Sequence, residues 1–174
     1  MSHKQQIDYF ISLKERFPEM FSKVKVLEIG SLDINGSIRE LFSYHLYIGV
    51  DLDNGPSVDV IGQGQDLTYA DNYFDVTVST ECFEHNPYWL STFLNMYRMS
   101  SKFVAFTCAS EGRPEHGTTA TTPQDSPFTV DWNYYKNLNK EDFTSQMDFN
   151  DMFHLYEFIY NSDSKDLYFF GIKR

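Results

Sequence analysis

A three-layer α/β fold, with a mostly parallel sheet ending in an antiparallel hairpin, is predicted by three stretches of this sequence. Val24 to Ile29 is a short apolar run rich in β-branched residues, as expected of a strand buried on both faces. A second apolar run, Leu46 to Val50, ends on Asp51, and a glycine-bearing loop and the spacing of one short helix separate the two runs. Near the C-terminus, Phe153–Tyr160 and Leu167–Lys173 alternate apolar and polar residues around the turn Asn161-Ser-Asp-Ser164, which reads as an antiparallel hairpin.

At the N-terminus, Ser2 and Gln5 have capping-box spacing. Ile7, Phe10, Ile11, Lys14 and Phe17 then recur at the helical period, so residues 3–17 read as an amphipathic helix stopped near Pro18. After the first strand comes Gly30-Ser-Leu-Asp-Ile-Asn-Gly36, followed by Ser37-Ile-Arg-Glu-Leu-Phe42 with Ile38, Leu41 and Phe42 on one helical face. Strand, loop, helix, strand and acidic residue make the opening unit of a Rossmann-like, nucleotide-binding sheet. Glycines let the backbone approach a ligand, and a carboxylate about 20 residues on can accept hydrogen bonds from both ribose hydroxyls.

Val58 to Ile61 reads as a third strand, but the turn before it is too short for a crossover helix. Either the crossover is pared to a loop or this strand is not parallel to its neighbour. Asp71-Asn-Tyr-Phe-Asp75 leads into a fourth strand, Val76–Ser79. A helix from Tyr88 to Met99, with Pro87 as its first residue, carries Leu90, Phe93, Leu94 and Tyr97 on one face. Lys102–Cys108 is a fifth strand, and Lys140–Gln146 a short helix behind an Asn139 cap. Between them, residues 109–132 form a long polar stretch that the topology puts over the carboxyl ends of the strands, where open α/β sheets bind ligands.

The 174 residues suit one domain, spanning 1–174, and 41% hydrophobic with 17% aromatic residues indicate a packed core. A formal charge of −11 without clustered Lys or Arg disfavours nucleic acid as a partner. Cys82 and Cys108 lack metal-like spacing and read as free thiols of a reducing cytoplasm. No signal-peptide core and no run of ~18 apolar residues is present, so a soluble, cytoplasmic chain is expected.

The loop discriminates among nucleotide ligands. Position 32 is Leu and position 35 Asn where a dinucleotide-binding G-x-G-x-x-G loop needs glycines, and Glu28 would repel a pyrophosphate but suit an ammonium or sulfonium. Glu28, Gly30 and Gly36 resemble the first motif of class I S-adenosylmethionine-dependent methyltransferases, with a longer loop and fewer glycines than the common E-x-G-x-G-x-G form. Gln63-Gly64, Asn72-Tyr-Phe-Asp75 and Ser79-Thr-Glu-Cys-Phe-Glu-His85 are similar to later segments of the small-molecule, methyltransferase type 11-like members. Asn86-Pro-Tyr88 is set aside as an N-P-P-Y motif, because six residues separate it from the strand end.

The resemblance implies S-adenosyl-L-methionine as cofactor and methyl transfer to a small or carbohydrate-like acceptor. On that pattern Glu28 orients the loop or the ammonium group, Gly30, Ser31 and Gly36 line the methionine portion, and Asp51 with Leu52 holds the ribose. Gln63 and Gly64 face adenine, while Thr80 and Glu81 close the site; Asp66 is equally a turn cap or an adenine contact. His85 and His116 are the candidate bases, and Arg113 with His116 the candidate substrate contacts; His3, His45 and His154 are peripheral. Glu81 and His85 stand at i, i+4, but without a third ligand no metal is expected. The alternatives are a non-catalytic binding module of the same fold and an NAD-dependent oxidoreductase. Glu28, the missing loop glycine and the closing hairpin speak against the second.

Overall fold

The computed structural model describes residues 4–174; Ser2, with its expected cap, and His3 lie outside the described residues. Helix α1 (Lys4–Arg16) precedes strand β1 (Ser22–Ile29), and β2 (Ser43–Asp51), β3 (Val60–Ile61) and β4 (Phe74–Thr80) follow. Helix α2 (Trp89–Met99) leads into β5 (Ser100–Ala109). Two short helices, α3 (Lys140–Thr144) and α4 (Phe149–Met152), come before β6 (Phe153–Asn161) and β7 (Asp166–Lys173).

The strands form one sheet in the order β3-β2-β1-β4-β5-β7-β6. β1 to β5 pair in parallel, while β7 inserts antiparallel between β5 and β6. Alternation across the pleat explains the two cores. Leu27, Ile29, Phe106 and Phe169 face α2, α3 and α4, where Phe93, Phe143 and Phe149 meet them. Val24, Val26, Phe103 and Phe170 face the other way, onto Tyr9, Phe10 and Leu13 of α1 and onto Ile38 and Phe42. This is the three-layer α/β sheet that the sequence predicts.

Several elements differ from the sequence expectation. The helix after the glycine loop is a single 3₁₀ turn, Arg39–Leu41. Ile38 and Phe42 are buried as expected, but that much apolar surface is covered by one turn. β3 is parallel to β2, so the crossover is a loop without a helix. It is held by Asp59, whose backbone N–H donates to the Gly49 carbonyl and whose carboxylate pairs with Arg39 at 2.9 Å. The buried stripe of α2 is Trp89, Thr92, Phe93, Met96 and Met99; of the expected face Phe93 is buried and Leu90 and Tyr97 pack against the same core, while Leu94 is exposed. Pro87 stands one residue ahead of the Tyr88 cap.

Among the described residues no helix is long and apolar enough to cross a membrane.

Candidate functional site

Three recesses adjoin over the carboxyl ends of β1, β2 and β4. Two are narrow and share Gly30, Asp51, Cys82 and Thr129. The inner one, bounded by Gln63, Gly64, Asn86 and Trp132, holds about 30 Å³; the next, bounded by Leu32, Ile34 and Phe128, holds about 50 Å³. Glu81, His85 and Asp125 then open into a wider, polar recess of about 400 Å³, walled by Arg113 and His116.

Local geometry positions the joint between the narrow recesses. Gly30 ends β1 with φ +75°, and a Cβ there would stand 2.6 Å from the Cys82 Cβ, so only glycine fits. Asp51 ends β2 and accepts the Leu32 N–H at 2.9 Å and the Leu52 N–H at 2.8 Å. Its carboxylate thus ties the glycine loop to the strand end. Burial nevertheless pushes its pKa above the ordinary value, against the pull of those two N–H groups.

The remaining expected cofactor residues divide. Leu52, Gln63 and Gly64 line the inner recess, with the Gln63 Oε1 accepting from Gln65 at 2.7 Å. Ser31 and Thr80 are buried beside the site and line none of these recesses. Gly36 donates its N–H to Asp33 at 2.8 Å, outside them. Glu28, on β1 itself, is buried, and the Tyr47 hydroxyl donates to it at 2.8 Å. Burial raises its pKa from 4.5 to about 7, and the Tyr47 hydrogen bond opposes that rise. Asp66 is exposed and lines no recess.

The wide recess gathers His85, Arg113 and His116 with Glu81, which the sequence reading groups with the cofactor residues. Glu81 sits at the end of β4 with φ +49°, a backbone conformation that costs a non-glycine residue about 1–3 kcal/mol and clusters at functional sites. Arg113 is less free than a substrate clamp would be. It donates to the Ser164 carbonyl at 2.6 Å and pairs with Asp166 at 3.0 Å, while its second terminal nitrogen stands 3.9 Å from Glu81.

His85 is buried, and burial together with the nearby His116 lowers its pKa to about 3. Burial raises the carboxyl pKa of both Glu81 and Glu84. The His116 Nδ1 lies 3.1 Å from the Pro114 carbonyl oxygen; as N–H it donates there, leaving Nε2 as the acceptor.

Sequence reasoning missed Cys82, Glu84 and Asn86; Asp125–Thr129, which line the narrow recesses, fall within the stretch 109–132 that it places over the strand ends. Cys82 is a free thiol with its pKa pushed to about 12, chiefly by burial, and it lines both narrow recesses. Its position one residue past Glu81 was the available signal. The Asn86 side chain donates to Thr92 at 2.9 Å and accepts the Tyr88 N–H at 2.8 Å, which commits it to the start of α2.

No protein-family model matches the chain, and no curated protein matches it by sequence. Solved structures do resemble it. YcgJ from Bacillus subtilis superposes with a TM-score of 0.67 at 13% identity, covering 99% of both chains. The N-terminal domain of EvdMO1, solved in the presence of SAH and D-fucose, gives 0.62 at 15% identity, covering 100% of this chain and 85% of that one. Phosphoethanolamine N-methyltransferase 2 from Haemonchus contortus, in complex with S-adenosyl-L-methionine, gives 0.64 at 14%, covering 95% of this chain and 52% of that one. At such identities the likeness establishes the fold, which is that of the class I methyltransferases.

Proposed function

We propose that this protein is a single-domain, cytoplasmic methyltransferase that uses S-adenosyl-L-methionine to methylate a small or carbohydrate-like acceptor. The observation that carries this reading is the continuity of the cleft. The two narrow recesses share Gly30, Asp51, Cys82 and Thr129, and the outer of them shares Glu81, His85 and Asp125 with the polar one walled by His116. A donor and an acceptor can therefore meet end to end.

The residues of the narrow recesses fit the cofactor. Asp51 supplies a carboxylate where a ribose would lie, Gln63 an amide for adenine, and Gly30 a wall without a side chain. S-adenosyl-L-methionine supplies an electrophilic methyl group on its sulfonium. The chain's part is to hold the acceptor on the axis of the departing sulfur and take a proton from an acceptor hydroxyl or amine. His85, with its low pKa, stays neutral and is a weak base. His116, half-buried at the rim of the wide recess with Nε2 as acceptor, is the histidine placed to meet the acceptor.

The narrow recesses are small beside the ~300–1,000 Å³ of ligand sites in general. Entry of the cofactor therefore requires Asp125–Thr129 and Trp132 to swing outward.

Calorimetric titration with S-adenosylhomocysteine, with NAD as control, tests the reading. Saturable binding of the first alone is expected, followed by turnover in an acceptor screen that includes sugars. Binding of NAD alone would overturn it in favour of an oxidoreductase. Cofactor binding without turnover over a broad panel would leave a non-catalytic binding module.

A further inference from the structure

We infer that Glu84, His85 and His116 form a binding site for one divalent first-row transition ion at the floor of the wide recess. The potential ligand atoms of these three side chains all lie within 4.8 Å of one another. Ligand atoms about 2.0–2.2 Å from a common tetrahedral ion stand about 3.3–3.6 Å apart, so the site closes with shifts of less than about 1 Å per ligand. Sequence spacing suggests only Glu81 and His85, on one segment. The fold instead adds the buried Glu84 to His85 and brings His116 across from the loop after β5, with the two imidazole centroids 4.9 Å apart.

A second observation points to a ligand. Glu84 is completely buried, yet neither carboxylate oxygen is hydrogen-bonded by another residue. His85 is 3% exposed, and its Nδ1 is likewise without a partner. Buried polar atoms left unsatisfied cost about 1–3 kcal/mol each. An ion held among Glu84, His85 and His116 would take lone pairs that these buried side chains otherwise leave unused. The Pro114 carbonyl, 3.1 Å from the His116 Nδ1, supplies the outer hydrogen bond that fixes a coordinating imidazole with Nε2 inward.

Two imidazoles and one carboxylate favour Mn²⁺, Co²⁺ or Zn²⁺ over Mg²⁺ and Ca²⁺, which prefer oxygen alone. Such an ion would face the wide recess, and an oxygen or nitrogen of the acceptor would complete its shell. It would then polarise that atom, a use of His116 different from direct proton removal. Binding of the ion does not depend on the methyl-transfer reading.

The test is titration of the metal-free 174-residue chain with Co²⁺, followed by visible absorption, without any methyl donor. One equivalent is expected to bind with ligand-field bands, Mn²⁺ and Zn²⁺ to compete, and Mg²⁺ and Ca²⁺ not to. Glu84→Gln and His116→Gln should each weaken affinity at least ~100-fold, more than the ~10–100-fold loss typical of residues that only support ligands. Cys82→Ser should bind as the native chain does, which separates this site from capture by the nearby thiol. If Glu84→Gln does not fold, His116→Gln, on the half-buried loop, decides alone. Absence of saturable binding, binding that survives His116→Gln, binding lost in Cys82→Ser, or a preference for Mg²⁺ would each overturn the assignment.

Discussion

His85 and His116 meet edge to face, their ring planes at 84°, because the residue after His116 has no side chain. A Cβ at Gly117 would stand 2.7 Å from both the His85 Cε1 and the Ser126 Cβ, on a backbone at φ +66°. Gly117→Ala should therefore push the loop off His85 while sparing the sheet. The expected result is a fall in turnover of at least ~10-fold, the size of a ~1.4 kcal/mol misplacement, with the cofactor affinity nearly native. Equal losses of affinity and turnover would show that the loop does not act on the acceptor side.

His116→Ala probes the same contact from the other ring. It removes the acceptor-side nitrogen without touching Gly30, Asp51 or Gln63, so S-adenosylhomocysteine should bind with almost native affinity and turnover should drop. Calorimetry on the variant checks the first half and a radiolabelled-methyl assay the second. A large affinity loss would mean that this loop belongs to the cofactor.

Asp51→Ala should weaken S-adenosylhomocysteine binding by about 1–3 kcal/mol, the range for lost hydrogen bonds to a charged group. It should also lower the melting temperature, since the Leu32 and Leu52 N–H groups lose their acceptor. Unchanged affinity in a folded variant would remove Asp51 from the ribose role.

What the sequence made legible follows from which signals are local. β1, β2 and the hairpin β6–β7 show as apolar runs or alternation, because burial of a strand writes itself into consecutive residues. The turn at Arg39–Leu41 did not: Ile38, Leu41 and Phe42 have helical spacing, but one 3₁₀ turn satisfies the same three contacts. On α2 the helical period finds Leu90, Phe93 and Tyr97 but not the whole stripe, because Leu94 is apolar yet exposed, while Thr92 and Met96 face the core. At the site, Asp51, His85 and His116 were readable from strand ends and loop position. Glu84 was not, because a carboxylate completely buried without a partner cannot be distinguished in sequence from a solvated one.

The segment between Thr122 and Asn133 should open on cofactor entry. Both bounding residues sit in the left-handed region, at φ +41° and +48°, and between them Asp125–Thr129 and Trp132 narrow the recesses. Hydrogen exchange should find amides of residues 123–132 weakly protected in the free chain and more protected with S-adenosylhomocysteine bound. Identical exchange in both states, with binding independently demonstrated, would mean that the cofactor enters without moving this segment.

Glu28 should make stability fall as pH rises. Its folded pKa of about 7 exceeds the ordinary 4.5, so between these values the native state holds a proton that the unfolded chain has released. Stability from this group is fully present below about pH 4.5 and is lost as pH rises through about 7, to a limit of about 3 kcal/mol. Glu28→Gln, which can still accept from Tyr47, should lack that loss. Urea unfolding at pH 5 and pH 8 should find the two proteins closer in stability at the lower pH and the variant ahead at the higher. Cofactor binding adds a second readout. If Glu28 senses the ammonium group, through water or the loop, S-adenosylhomocysteine binding at pH 7 should release protons from the native chain and fewer from the variant. Parallel stability curves would show that Tyr47 and the surrounding field hold Glu28 ionised at neutral pH.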